Sequence, residues 1–190
     1  MRIFITGVAG FLGSHLADRM IELGHTIIGV DNLVGGDLNN VNTEVEFHKC
    51  DCDDLNSMVA LMKDCDIVFH AACTAHDGFS VFSPYLITKN TFQITMSVLS
   101  ASIQNKIKRF VYCSSMSRYG KQVTLPYTED MICNPGVPYA VAKHSSEQII
   151  KQLCGLNNVE YVIIVPHNII GPRQCCTDPF RNVAAIMINK

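Results

Sequence analysis

Along the chain, short apolar runs with no helical period alternate with stretches in which apolar residues recur every three or four positions. Ile3, Phe4 and Ile5 are contiguous and apolar, the pattern of a strand buried on both faces. From Phe11 the period changes, and Leu12, Leu16, Met20 and Leu23 recur at helical spacing. The alternation continues to the far end of the chain. It predicts further strands over 27–30, 44–48, 66–70, 108–113 and 160–165, and helices over 53–63, 84–102 and 139–153. There is no internal repeat and no low-complexity linker. Strand and helix alternating along most of the chain predict an α/β fold with a doubly wound parallel sheet, whose ligands sit at the carboxyl ends of the strands.

Composition narrows the class. At 190 residues the chain makes one domain or one and a fraction. A chain of this size buries roughly 70% of the surface its unfolded form exposes and needs neither disulfides nor a metal. The net charge is −2, with seven histidines counted neutral and no basic block, which argues against nucleic acid or an anionic membrane as the principal partner. No apolar run approaches the length of a membrane span. Nine cysteines is a high and odd count, and Met1-Arg2 leads straight into a strand with no signal-peptide h-region. Thiols without an export signal predict a reducing, cytoplasmic setting. Neither Cys50/Cys52 nor Cys175-Cys176 has zinc spacing, so the cysteines read as small buried hydrophobes and no metal is expected.

The first strand ends at Thr6, and Gly7, Gly10 and Gly13 follow before the helix is established. A buried strand, a glycine turn and a helix open a dinucleotide-binding unit of the Rossmann type. Gly7 permits a tight turn, Gly10 lets backbone approach a pyrophosphate, and Gly13 lets helix pack close to strand. The helix N-terminus then offers free N–H groups to the phosphates. Asp31, at the end of the second apolar run and eighteen residues past Gly13, is placed to grip the ribose hydroxyls of the adenosine. The spacing is G-x-x-G-x-x-G, and Thr6-Gly-Val-Ala-Gly-Phe-Leu-Gly13 resembles the extended short-chain dehydrogenase/reductase family, which includes the nucleotide-sugar epimerases and dehydratases. The resemblance implies that Phe11, Leu12, Asn32, Asp51, Cys52, Ala71 and Ala72 also line the cofactor. The second acid near the adenine, with no arginine following Asp31, favours NAD over NADP, whose 2′-phosphate would meet a like charge.

Tyr139-Ala-Val-Ala-Lys143 carries the chemistry. Residues i and i+4 of a helix share a face, so an ammonium sits beside the phenol. A phenol titrating near 10 is a poor base at neutral pH, and a neighbouring cation lowers that value. The resemblance makes Tyr139 and Lys143 catalytic and cofactor-binding. It adds Ser115, four residues before Tyr119-Gly120, as the hydroxyl that aligns the reacting sugar oxygen, with Ser114 as its structural neighbour. Ser117 and Asn168 are implied to touch the substrate, and Pro166 to lie by the nicotinamide. Asn90 would steady the active-site strands, against the plainer reading of an ordinary polar helix residue. His76 and His167 are secondary candidates for an extra acid or base, since a buried histidine is more often satisfied structurally. Gly171-Pro172-Arg173 reads as a turn with a solvated arginine.

The run after Ser115 is Met116-Ser117-Arg118, without the carboxylates that the family's 4,6-dehydratases and decarboxylases carry there. The resemblance therefore implies NAD-dependent epimerisation of a nucleotide sugar, most like the UDP-sugar 4-epimerases, by transient oxidation to a 4-keto intermediate. The alternatives are a nucleotide-sugar reductase or dehydrogenase, and an NAD-binding module without catalysis. Residues 1–165 are expected to form the NAD-binding domain and 166–190 only the start of a small substrate domain. The chain ends inside an apolar run that resembles a helix, which suggests truncation relative to the family and apolar surface left uncovered. Family members often dimerise through two helices, here 84–102 and 139–153, so a homodimer is possible by analogy.

Overall fold

A computed structural model describes residues 1–177 and 183–188. Six parallel strands, β1 (Arg2–Thr6), β2 (Thr26–Asp31), β3 (Glu46–Lys49), β4 (Ile67–His70), β5 (Arg109–Cys113) and β6 (Glu160–Ile164), form one sheet in the order β3-β2-β1-β4-β5-β6. The helices between them are α1 (Phe11–Glu22), α2 (Leu55–Leu61), α3 (Pro84–Thr88), α4 (Ile94–Gln104) and α5 (Pro138–Asn157), with α6 (Val183–Ile188) after β6. The fold is the doubly wound α/β arrangement that the alternation predicts.

The apolar run of β1 is buried on both faces. Phe4 packs into a core with Ile28, Val68 and Phe110 of the neighbouring strands and with Met58, Val98, Leu99 and Ile150 of the helices. Ile3 and Ile5 point the other way, into a smaller core with Ile27, Val8 and Ala17 of α1. Strand order reverses between β1 and β4, and the crevice outside their carboxyl ends is the switch point at which such sheets bind ligands.

The structure corrects several boundaries. The third strand begins at Glu46, because Asn42 turns the preceding segment by accepting the Glu44 N–H on its side chain and the Val45 N–H on its carbonyl. The helix predicted from residue 53 starts at Leu55, capped by the Asp54 carboxylate at 3.2 Å from the Ser57 N–H. α5 is longer than predicted at both ends, from Pro138 in its first turn to Asn158, whose left-handed φ of 55° stops it. The helix predicted over 84–102 is interrupted by a π-helical turn, Lys89–Gln93. There the Asn90 carbonyl turns outward to accept the Thr74 N–H at 3.2 Å. The helix-like run predicted at the end is helical over Val183–Ile188, while residues 178–182 and 189–190 lie outside the described residues.

All nine cysteines are free thiols. Cys52, Cys65, Cys113 and Cys154 are buried as small hydrophobes, whereas Cys175 is exposed and the other four are half-buried, so that reading holds for part of the set. Among the described residues no helix is long and apolar enough to cross a membrane.

Candidate active site

The glycine turn at the end of β1 leaves a strip of backbone with no side chain over it. Gly7 has a φ of +70°, and a Cβ there would lie 2.9 Å from the backbone N and Cα of Ala72, across the switch point at the end of β4. A Cβ on Gly13 would overlap the Gly7 carbonyl, and one on Gly10 would sit 3.1 Å from the same oxygen. Gly10 precedes α1 without a side-chain cap, and no acidic residue occupies the first turn. No side chain caps that turn, which leaves its N–H groups for a ligand. A bare backbone cradle ending in an uncapped helix N-terminus fits a dinucleotide pyrophosphate.

Beside it lie the residues from the strand ends. Asp31 is buried, and its carboxylate accepts the Ala9 N–H at 3.1 Å and the Leu33 N–H at 2.8 Å. Burial raises its pKa, opposed by those backbone bonds. Asn32 donates to Asp51 at 3.1 Å, which links the ends of β2 and β3, and the buried Cys52 thiol is pushed up by burial. Under the crevice, Thr6 accepts the Ala72 N–H at 3.1 Å and lies 2.7 Å from His70 Nδ1. His70 Nε2 lies 2.9 Å from Thr95, whose own hydroxyl donates to the Thr91 carbonyl at 2.5 Å. Those roles assign His70 as the neutral Nε2–H tautomer, receiving the Thr6 proton and donating to Thr95.

This buried histidine predicts a pH effect. Burial first, and Lys143 second, push the His70 pKa down to about 3 from an unfolded value near 6.5. Above about pH 6.5 both states are neutral and nothing is lost. Below it the unfolded chain takes up a proton that the folded chain refuses, so stability falls by about 1.4 kcal/mol per pH unit between about pH 6 and pH 4. Urea midpoints at pH 7 and pH 5 measure this. In His70→Gln the difference between the two should shrink by about 2 kcal/mol; an unchanged difference would refute the assignment.

On the other side of the crevice, Tyr139 and Lys143 stand one turn apart on α5, both buried. The Lys143 ammonium donates to the Cys113 carbonyl at 2.6 Å and sits 5.9 Å from the Tyr139 ring centre. Burial is the largest influence on the Tyr139 phenol and raises its pKa, while Lys143 and the Ser115 hydroxyl work in the opposite direction. The expected depression by Lys143 is present as a contribution, but burial outweighs it. Burial also works to lower the Lys143 pKa, yet the acidic groups around it, the Cys73 thiol first, hold it well above the usual lysine range. The lysine stays charged.

Two further residues, neither given a role by the sequence, hold this arrangement. Glu147, one turn beyond Lys143, is fully buried and accepts from the Ser114 hydroxyl and from Arg118 at 2.7 Å. Arg118 also donates to the Tyr119 hydroxyl at 2.5 Å. Ser115 lies between the two anchored residues, and its hydroxyl accepts the Ser117 N–H at 3.2 Å. The spacing Tyr139, Lys143, Glu147 repeats every four residues, and that period was the available signal.

The model of the NAD dependent epimerase/dehydratase family matches residues 3–190. The chain belongs to that family. A putative UDP-glucose 4-epimerase of Methanocaldococcus jannaschii is 34% identical over 98% of this chain and 61% of its own length. The UDP-glucose 4-epimerase of Mycolicibacterium smegmatis is 32% identical over 99% and 61%. Among solved structures, the UDP-glucose 4-epimerase of Thermotoga maritima with UDP-glucose superposes with a TM-score of 0.94 at 33% identity, covering 98% of this chain and 61% of that one. The chain therefore spans about three-fifths of the length of these relatives.

Within this epimerase/dehydratase-family chain the remaining predicted residues fall as follows. Half-buried Asn90 donates to the Thr74 hydroxyl at 3.1 Å, so it ties down the segment that leaves β4 rather than a strand. The Pro166 carbonyl accepts the Met116 N–H at 3.4 Å, which brings the segment after β6 against the Ser115 loop. Asn168 and His167 are exposed, and His76 packs edge-on against Phe79, 6.2 Å between ring centres. Pro172-Arg173 lies in a turn and Arg173 is exposed, as read from the sequence; its guanidinium also pairs with Asp18 at 2.7 Å.

Proposed function

We propose that the protein is an NAD-dependent nucleotide-sugar epimerase acting on a UDP-linked sugar at C4, and that residues 1–165 form its NAD-binding domain. The observation that carries this reading is the meeting of Tyr139, Lys143 and Ser115 across the switch-point crevice from the bare glycine cradle. Gly7, Gly10, Phe11, Leu12 and Gly13 would hold the pyrophosphate. Asp31, Asn32, Asp51 and Cys52 would surround the adenosine, and Ala71, Ala72, Asn90, Tyr139, Lys143 and Pro166 the nicotinamide half. Bound NAD supplies a reversible two-electron acceptor for the sugar carbon.

Tyr139 removes the proton of the 4-hydroxyl and returns it after the 4-keto sugar has turned over. Ser115 donates to the reacting oxygen and fixes its distance from the phenol. Lys143 uses one ammonium N–H on the Cys113 carbonyl, which leaves two for a ribose hydroxyl, and its charge favours phenolate. Ser117 and Asn168 complete the substrate side. No carboxylate follows Ser115 to carry the extra protons of an elimination, which supports epimerisation over dehydration.

A cytoplasmic role in carbohydrate metabolism is supported by the free thiols and by the relatives' substrates. A homodimer through the helices over 84–102 and 139–153 is supported by the apolar residues they leave exposed, Tyr85, Leu86 and Val141. Titration with NAD, then with UDP-galactose or UDP-N-acetylglucosamine, tests the reading. Epimer formed with no net NADH is the expected result. NAD uptake without sugar-nucleotide binding would leave a cofactor-binding module, and net cofactor turnover would indicate a reductase or dehydrogenase.

A further inference from the structure

The backbone leaving β6 stays on the sheet's carboxyl edge. The Ile164 carbonyl accepts the Ser114 N–H at 2.9 Å and the Pro166 carbonyl the Met116 N–H at 3.4 Å, so this end is seated on the Ser115 loop. A few residues later the same segment lies on α1. His15 Nε2 donates to the Pro172 carbonyl at 3.0 Å, Arg173 pairs with Asp18 at 2.7 Å, and a Cβ on Gly171 would meet the Phe11 ring at 3.3 Å. Phe11, His15 and Asp18 occupy one face of α1 at i, i+4 and i+7. In the strand order, β1, beside α1, is three steps from β6, roughly 14 Å at about 4.8 Å per step. Held at both places, the segment spans the distance from β6 to α1, past the carboxyl ends of β5 and β4.

The fastening on α1 is built rather than incidental. Asp18 and Arg173 are 26% and 33% exposed at the side chain, so the pair stands at the edge of solvent. Asp18 also accepts from Asn42 at 2.9 Å, which holds its carboxylate in place. Arg173 has a φ of 66°, a left-handed conformation that a residue with a Cβ keeps when its contacts demand it.

We propose that residues 166–173 form a retaining bridge over the dinucleotide crevice, fastened to α1 by Asp18–Arg173 and His15–Pro172, and that this fastening sets how slowly a bound dinucleotide leaves. The inference rests on the NAD reading above. A ligand beneath the bridge escapes only when one end lifts, so its release rate follows the population of the unfastened state. The Asp18–Arg173 pair lies on α1 beyond the phosphate-binding turn, whereas His15 packs edge-on against Phe11, 5.5 Å between ring centres, so the arginine variant is the cleaner test of the two.

The test is the rate at which NADH, preloaded on the protein, is displaced by excess NAD, followed by fluorescence. In Arg173→Gln and in His15→Ala release should quicken about two- to fivefold, the factor expected for losing one ion pair or hydrogen bond at the edge of solvent. Asp18→Asn combined with Arg173→Gln should release no faster than the faster single variant, because both remove the same pair. A wild-type protein that binds NADH while all variants release it at the wild-type rate overturns the bridge and leaves the NAD reading standing. A wild-type protein that takes up no NADH overturns both.

Discussion

Tyr139→Phe is expected to lower epimerisation by about 10²- to 10⁴-fold, the usual share of a positioned general acid–base, while NAD affinity stays within a few-fold of wild type. The ring is buried and packs the same in both residues; only the hydroxyl is lost. Burial keeps the phenol protonated at neutral pH, while Lys143 and Ser115 favour its ionised form. The rate should therefore climb with pH as phenolate becomes accessible, and the climb should vanish in the phenylalanine variant. In Lys143→Met the phenol loses its largest opposing influence, so the rising limb should move to higher pH. Initial rates with UDP-galactose across the pH range, beside NAD titrations of each variant, measure both effects. A phenylalanine variant that turns over at the wild-type rate would remove the phenol from the mechanism.

What was legible in the sequence is what is local. The buried run Ile3–Ile5, the glycine spacing and the i, i+4 pair Tyr139–Lys143 are each contained in a few residues, and each is placed as its pattern implies. Asp31 was legible as an acid ending β2, but its backbone partner in the glycine turn was not, since Ala9 lies 22 residues away. The invisible features are contacts between distant segments. Glu147 meets Ser114 and Arg118 across 33 and 29 residues, and Pro172 meets His15 across 157. The π turn at Lys89–Gln93 was hidden for a related reason: its apolar spacing is helical on both sides, and the break answers to Thr74. The phenol's net pKa shift needed burial, which no spacing reports.

Glu147→Ala is expected to destabilise the protein by about 3–5 kcal/mol, because it leaves the Arg118 charge buried without its partner. The Arg118 and Glu147 side chains are only 10% and 1% exposed, and the Ser114 hydroxyl would lose its acceptor as well. The pair's net worth is much smaller than this loss, since desolvating two ions cancels most of their attraction. Glu147→Leu combined with Arg118→Met should therefore recover most of the stability that either change costs alone. Catalysis should not recover with it. Ser114 and Arg118 bracket Ser115, and Glu147 ties both of them to α5. Urea unfolding of the single and double variants, read beside kcat and NAD affinity, separates the two roles. Stability restored with kcat still depressed and NAD affinity intact is the signature of a carboxylate that positions the catalytic serine. Full recovery of kcat in the double variant would reduce Glu147 to a packing residue.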